Sequence, residues 1–264
     1  MDLGGPHVGG PHVRRDIKLS EIHKKSITKI KKRMYQHSVT AESVRLGILL
    51  AVVGGFLDAY TYIGHGGVFA NAQTGNIVLL AINATNGNYT QAFYSFLPIV
   101  AFILGVLVSE AIKSKLLSNS IDNWQIVVIG IEIIVLSLIG FMPKGASNIL
   151  ITVTISFVSS VQITSFKKLV DSPYSTTMCT GNLRTASEAA YRAYVVKDKK
   201  ESKKAIRYFI IILFFVLGAI IGGIFTISMG NKSIWITVVI LIIALLQFKI
   251  DEHIFNGINP KFSK

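Results

Sequence analysis

The tripeptide Thr-Gly-Asn occurs twice, as Thr74, Gly75 and Asn76 and again as Thr180, Gly181 and Asn182, each at the head of a short segment within an otherwise apolar chain. At the start of a helix a threonine hydroxyl can accept from a free backbone N–H, a glycine lets the chain turn sharply, and an asparagine amide both donates and accepts. Two such helix starts brought together present free N–H groups and the positive ends of two helix dipoles, which attract an anion or the oxygen of a polar solute. Asp58 lies in the apolar run before the first copy, and Gln162 holds the corresponding place before the second. An acid at the centre of a membrane helix costs about 2.5–3.5 kcal/mol on insertion scales, so it needs a compensating role. Asp58 is therefore the first candidate for a proton- or cation-linked group, the alternative being a structural acid that accepts from the tips of the short helices. Gln162 is its uncharged counterpart. Glu132 is a second acid within an apolar run, without a partner in the other half, and serves as a proton relay or as a quiet contact within the bundle. Arg184, two residues after Asn182, is an anion contact at a cavity mouth or simply the partner of Glu188 one turn on.

These residues must be positioned by membrane helices. Apolar residues make up 51% of the 264-residue chain and charged ones only 16%, and the apolar residues fall in long runs. Six runs qualify as crossings: 46–63, 92–112, 124–142, 149–163, 208–229 and 234–248. A bilayer core of about 30 Å needs roughly 20 helical residues, so the 149–163 and 234–248 runs must lean on their flanks. The apolar run after Asn76 ends at Asn83 and is too short to cross, while the helix after Asn182 carries Arg184, Glu188 and Arg192. Both are expected to be re-entrant and to line a cavity, because broken backbone and charge at membrane depth are tolerated only against protein or water.

Charge placement sets the orientation. The net charge of +13 clusters beside the spans rather than on a soluble domain, so it argues for orientation and against nucleic acid. With six crossings and a cytoplasmic amino terminus, only Lys144 and Lys232 lie outside; with eight, Lys113, Lys115, Lys167, Lys168 and Lys232 would do so. Six crossings fit better, with both termini in the cytoplasm and the chain in a plasma membrane. Each half then has three crossings, and an odd number makes the halves inverted repeats. The expected fold is all-α: a polytopic helical bundle of two inverted repeats, each of three spans and a short re-entrant Thr-Gly-Asn helix. Residues 1–43 form a basic cytoplasmic tail, 44–145 and 146–250 the two membrane repeats, and 251–264 a second cytoplasmic tail.

The first tail opens on a tandem Gly-Gly-Pro-His-Val, for which disorder is expected. Its two histidines are too few ligands for a metal site. Residues 16–36 can form a basic helix that binds anionic lipid headgroups. The first 43 residues hold no apolar signal segment. One cysteine, Cys179, excludes a disulfide framework and reads as a small packing residue. No nucleophile-and-base pair, phosphate loop or zinc pattern is present, so neither an enzyme nor a cofactor is expected.

The segments Gly-Gly-Phe-Leu-Asp-Ala-Tyr at 54–60, Gln-Thr-Gly-Asn-Ile-Val at 73–78, Ala-Phe-Ile-Leu-Gly at 101–105 and Thr-Thr-Met-Cys-Thr-Gly-Asn-Leu-Arg at 176–184 resemble the YoaK-type family of bacterial membrane proteins. The resemblance spans roughly residues 46–250. It implies a permease-like membrane protein and marks Asp58, Thr74, Gly75, Asn76, Gln162, Thr180, Gly181 and Asn182 as features of the family pattern. The leading expectation is a secondary transporter of a small polar or charged solute. The alternative is a non-transporting membrane sensor or structural partner, and a homo-oligomer is compatible with either.

Overall fold

The computed structural model describes residues 43–118, 124–143, 145–169, 172–175, 177 and 179–258. The expectations for the histidine repeat, the basic helix and the end of the second tail fall outside these residues. Helices dominate: α1 (Val44–Gly64), α2 (Gln73–Thr85), α3 (Tyr89–Ser118), α4 (Trp124–Gly140), α5 (Asn148–Ser165), α6 (Cys179–Val196), α7 (Lys199–Met229) and α8 (Ile234–Ile258). A two-residue antiparallel pair, β1 (Lys168–Leu169) and β2 (Ser172–Pro173), lies between α5 and α6. Among the described residues, four stretches are long and apolar enough to cross a membrane: α1, Tyr89–Ser114, α5, and Lys199–Asp251, which contains both α7 and most of α8; α4 is apolar but shorter. Each of the six apolar runs therefore forms a helix. Gly230, at φ +58, ends α7, and a 3-10 turn over Gly230–Ser233 starts α8.

Local chemistry sets the helix starts in matched fashion. Ser43 accepts from the Leu46 N–H at the head of α1 and Ser147 from the Leu150 N–H at the head of α5. Asp198 does the same for α7 through the Lys200 N–H, at 2.7 Å. Pro98 inside α3 is tolerated, as prolines in membrane helices often are.

The packing has an exchange symmetry. Helix α1 packs on α7 and α3 on α5; α2 packs on α3 and α6 on α7; α1 meets α8 and α5 meets α4; α4 meets α8, and α1 meets α5. Swapping α1–α4 for α5–α8 maps this set onto itself. The first long helix of each half is thus held by the second long helix of the other half. Helices α1 and α5 form the interior: 67% and 61% of their most apolar stretches are buried, against 33% for α3 and 28% for the α7–α8 stretch. The outer helices instead expose apolar side chains such as Leu107, Leu138, Leu213, Ile224 and Leu246, as a lipid-facing surface does.

Matched glycines make the two crossings possible. A Cβ on Gly105 would collide with the Ser160 hydroxyl and the Phe157 carbonyl of α5; one on Gly218 would collide with the Val52 carbonyl and backbone of α1. These are the glycines of Phe-Ile-Leu-Gly and Phe-Val-Leu-Gly, so the repeated tetrapeptide is a device for close backbone approach, as small residues are at other membrane helix contacts. Gly55 and Gly222 tighten the α1–α7 crossing further, against Phe215 and Phe56. Gly218→Leu is expected to destabilise the detergent-solubilised protein by at least ~1–3 kcal/mol through overpacking. Gly130→Ala, where a Cβ meets nothing within 4 Å, should leave melting unchanged or raise it by up to ~1 kcal/mol equivalent. Thermal melting of the two variants side by side checks both.

Candidate functional site

The two Thr-Gly-Asn copies do the same thing in both halves. The Phe69 N–H donates to Asn76 Oδ1 at 2.8 Å, and Asn76 Nδ2 donates back to the Phe69 carbonyl at 2.7 Å. In the second half the Ser175 N–H lies 3.5 Å from Asn182 Oδ1, and Asn182 Nδ2 donates to the Ser175 carbonyl at 2.6 Å. Each asparagine clamps the N–H and the carbonyl of the residue seven places upstream, fixing that part of the lead-in against its short helix. Both are buried, whereas Thr74 and Thr180 are exposed. Their amides thus satisfy backbone groups that the lead-ins would otherwise leave bare.

Two details of the motif differ from the sequence-based expectation. Helix α2 begins at Gln73 with Ala72 at its cap position and no side-chain cap, so Thr74 lies inside the first turn instead of capping it. Gly75 and Gly181 are also helical and make no sharp turn. Gly75 is needed for space, since a Cβ there would stand 2.8 Å from the Phe69 ring; Gly181 faces open space. The turning is done earlier, at Gly66 and Gly67, with φ of +91 and +69.

Both lead-ins meet the same turn of α1. Asp58 Oδ1 accepts from the Asn71 N–H at 2.7 Å, and the Ala70 and Ala72 N–H groups also face the carboxylate. Asn71 Nδ2 donates to the Gly54 carbonyl at 3.2 Å, one helical turn before Asp58. From the other half, Thr177 presses on Gly54 so closely that a Cβ there would lie 2.5 Å from its Cγ2. Cys179 at the head of α6 is near enough to Asp58 to interact with it electrostatically. Helix α5 holds the first lead-in from the opposite side, where Ser156 Oγ donates to the Ala70 carbonyl at 2.9 Å and Thr152 Oγ1 to the His65 carbonyl at 3.1 Å. Two atoms at this junction, Asn71 Oδ1 and Thr177 Oγ1, are buried without a hydrogen-bond partner.

Sequence reasoning missed Asn71 and Thr177 as a pair. The signal was there: each is a polar residue three places before the threonine of its Thr-Gly-Asn. It was invisible as chemistry because nothing in a linear pattern says that both reach Gly54.

Gln162 and Glu132 form a separate buried pair, with Gln162 Nε2 donating to Glu132 Oε2 at 2.7 Å. Gln162 therefore bonds to α4, unlike Asp58, which bonds to the first lead-in. Arg184 lies on the exposed face of α6, hydrogen-bonded to Glu188 at 2.8 Å, with Arg192 on the other Glu188 oxygen at 3.4 Å and within 3.8 Å of Glu201. Arg184, Glu188 and Arg192 thus line the outer surface instead of the junction, because the buried stripe of α6 is Asn182, Ala186 and Ala189. A small cleft at the far end of α1 is lined by His65, Tyr94, Asn148 and Thr152, with His65 Nδ1 3.1 Å from Asn148 Oδ1.

A family model described as "Protein of unknown function (DUF1275)" matches residues 46–247. The chain belongs to the DUF1275 family. It is 26% identical over 208 residues to the UPF0700 transmembrane protein YoaK of Bacillus subtilis (strain 168), covering 76% of this chain and 92% of that protein. No solved structure matches. The DUF1275 match takes in both asparagine clamps, both glycine crossings and the Asp58 junction, so the helical membrane bundle and its paired motif are features of the part shared with the family.

Two outcomes follow. Asn76→Ala or Asn182→Ala leaves a buried peptide unpaired, at a cost of ~1–3 kcal/mol; hydrogen exchange should quicken in that lead-in while the opposite clamp stays protected. The Arg184 guanidinium, bonded to Glu188, holds its carboxyl below the usual range. Its contribution is present above the unfolded carboxylate range and fades as pH falls through the depressed value. Because the pair is exposed, Arg184→Gln should move the melting temperature little, and less at high salt.

Proposed function

We propose that this membrane protein is a permease-like secondary transporter of a small polar or charged solute, working by alternating access around the Gly54–Asp58 turn. The observation that carries the reading is the convergence there of two clamped, non-helical lead-ins, one from each half, in the interior of an apolar bundle. Irregular backbone at depth is tolerated where it lines a cavity or is packed in protein, and short helices at a repeat interface are the usual build of a transporter site. Helix α2 has 13 residues, roughly 20 Å, which is short for a bilayer crossing and supports its reading as re-entrant.

The exchange symmetry of the packing supports inverted repeats, each with three crossings, and the distribution of basic residues supports a plasma-membrane protein with both termini in the cytoplasm. The basic tail is then a contact for anionic lipid headgroups. Asp58 serves as the coupling group: it is the acid at the junction, and a change in its partners would be felt at once by the first lead-in, whose backbone it holds. Rocking of α1 with α7 against α5 with α3 would open the junction to one side and then the other.

Two measurements test this. In proteoliposomes, flux found in a screen of small polar solutes should fall to background in Asp58→Asn; unchanged flux removes Asp58 from the coupling. In intact cells with Cys179→Ala, a cysteine at Gly87 should react with an impermeant maleimide and one at Ser202 should not. Protection at both, with reaction at Ser114, would mean that the short segments cross and would overturn the midplane site.

A further inference from the structure

The junction holds one carboxylate and two buried oxygens that lack hydrogen-bond partners. Asn71 and Thr177 are each 7% exposed, and Asn71 Oδ1 and Thr177 Oγ1 have no partner within the protein. An unpaired buried polar atom costs on the order of 1–3 kcal/mol, so an amide oxygen and a hydroxyl left bare near an acid call for a partner. The two residues come from the two halves, three positions before each Thr-Gly-Asn, and both reach Gly54, Asn71 through its amide and Thr177 through its methyl group. Asn71 directs its amide N–H groups at the Gly54 carbonyl and at Asp58, which leaves its oxygen as the group without a partner. Asp58 stands one helical turn away on the same face and is likewise an acceptor. An acid, an amide oxygen and a hydroxyl oxygen together call for a positive ligand.

The charge count narrows the class. Among the described residues no group of three His, Cys, Asp or Glu side chains comes together, which disfavours a dedicated calcium or transition-metal cage. One carboxylate among neutral oxygens balances a single positive charge.

We propose that the junction is a binding site for a monovalent alkali cation, ligated by the Asp58 carboxylate, Asn71 Oδ1 and Thr177 Oγ1. The proposal rests on the transporter reading for its purpose, as the coupling ion, but its geometry stands on the three side chains alone. Because Asn71 belongs to the first half and Thr177 to the second, the ion ties the two halves together through one turn of α1. Their separation would dismantle the site, which is the differential affinity between two states that ion coupling requires.

The test is thermal melting of the full chain in lipid nanodiscs, followed by the fluorescence of Trp124 and Trp235, in NaCl, LiCl or KCl with choline chloride holding the ionic strength constant. At least one of the three salts should raise the melting temperature saturably, as a ligand that binds only the folded state does. Thr177→Val keeps the methyl group that packs on Gly54 and removes only the oxygen; it should weaken the apparent affinity at least tenfold, and Thr177→Ser should restore it. Asp58→Asn should abolish the shift. Equal melting in all salts and choline, or a Thr177→Val protein with unchanged affinity, overturns the site. A cation-specific shift in a protein that carries no solute would sink the transporter reading and leave the site standing. Solute flux that is indifferent to all three cations, with no shift, would do the reverse.

Discussion

The close approach of backbone to backbone at Gly105 and Gly218 is the constraint on which the rest of the molecule depends. Lipid gives no hydrophobic reason for one helix to prefer another, so contact must come from packing and from groups that cannot be satisfied alone. A side chain at either glycine would push α3 off α5, or α7 off α1. With the glycines in place, each half grips the innermost helix of the other. The interior pair α1 and α5 is thereby enclosed, and the lead-ins find protein partners for their backbone at Asp58, Asn76, Ser156 and Asn182. Without that enclosure the Asn76 and Asn182 clamps would face a solvent that offers no hydrogen bonds.

Within this symmetric frame the chemistry is unequal. The first lead-in is fixed by Asp58 from α1 and by Ser156 from α5. The second approaches the same turn of α1 through Thr177, and Tyr174 reaches the Gly47 carbonyl at 3.3 Å. Gly54 is therefore a shared point of support. Helix α5 has Val158 and Ser159 where α1 has the glycine pair, and its Gln162 bonds instead to Glu132. The contact pattern is matched between the halves, and the acid stands at one of two similar positions.

Much of the scaffold was legible in the sequence, since long apolar runs in a bilayer are stable as helices and the six runs all became helices. The doubled Thr-Gly-Asn and the doubled Phe-x-Leu-Gly marked the positions of the two asparagine clamps and the two glycine crossings. The work done by each residue of the motif was not legible. Capping preference pointed to Thr74, but the local helix start moved upstream to Gln73, and the asparagine acts on a peptide seven residues away. Such a bond depends on how the lead-in folds back, which spacing alone does not record. Of the two readings of Arg184, the structure has the pairing with Glu188, and the choice was not legible because helical periodicity on α6 shows which residues share a face but not which face meets α7.

The exchange of helices between halves also bears on the order in which the chain is made. The first span emerges from the ribosome long before the seventh helix that encloses it, and its glycine face then has no native partner. During that interval α1 must rest in the bilayer with an open backbone groove, a condition that favours wrong pairing or removal by proteases. A chain cut short before Gly218 would lack the contact that completes its first span. Quality control during biogenesis can therefore read completeness of the carboxyl-terminal half from the state of the amino-terminal one.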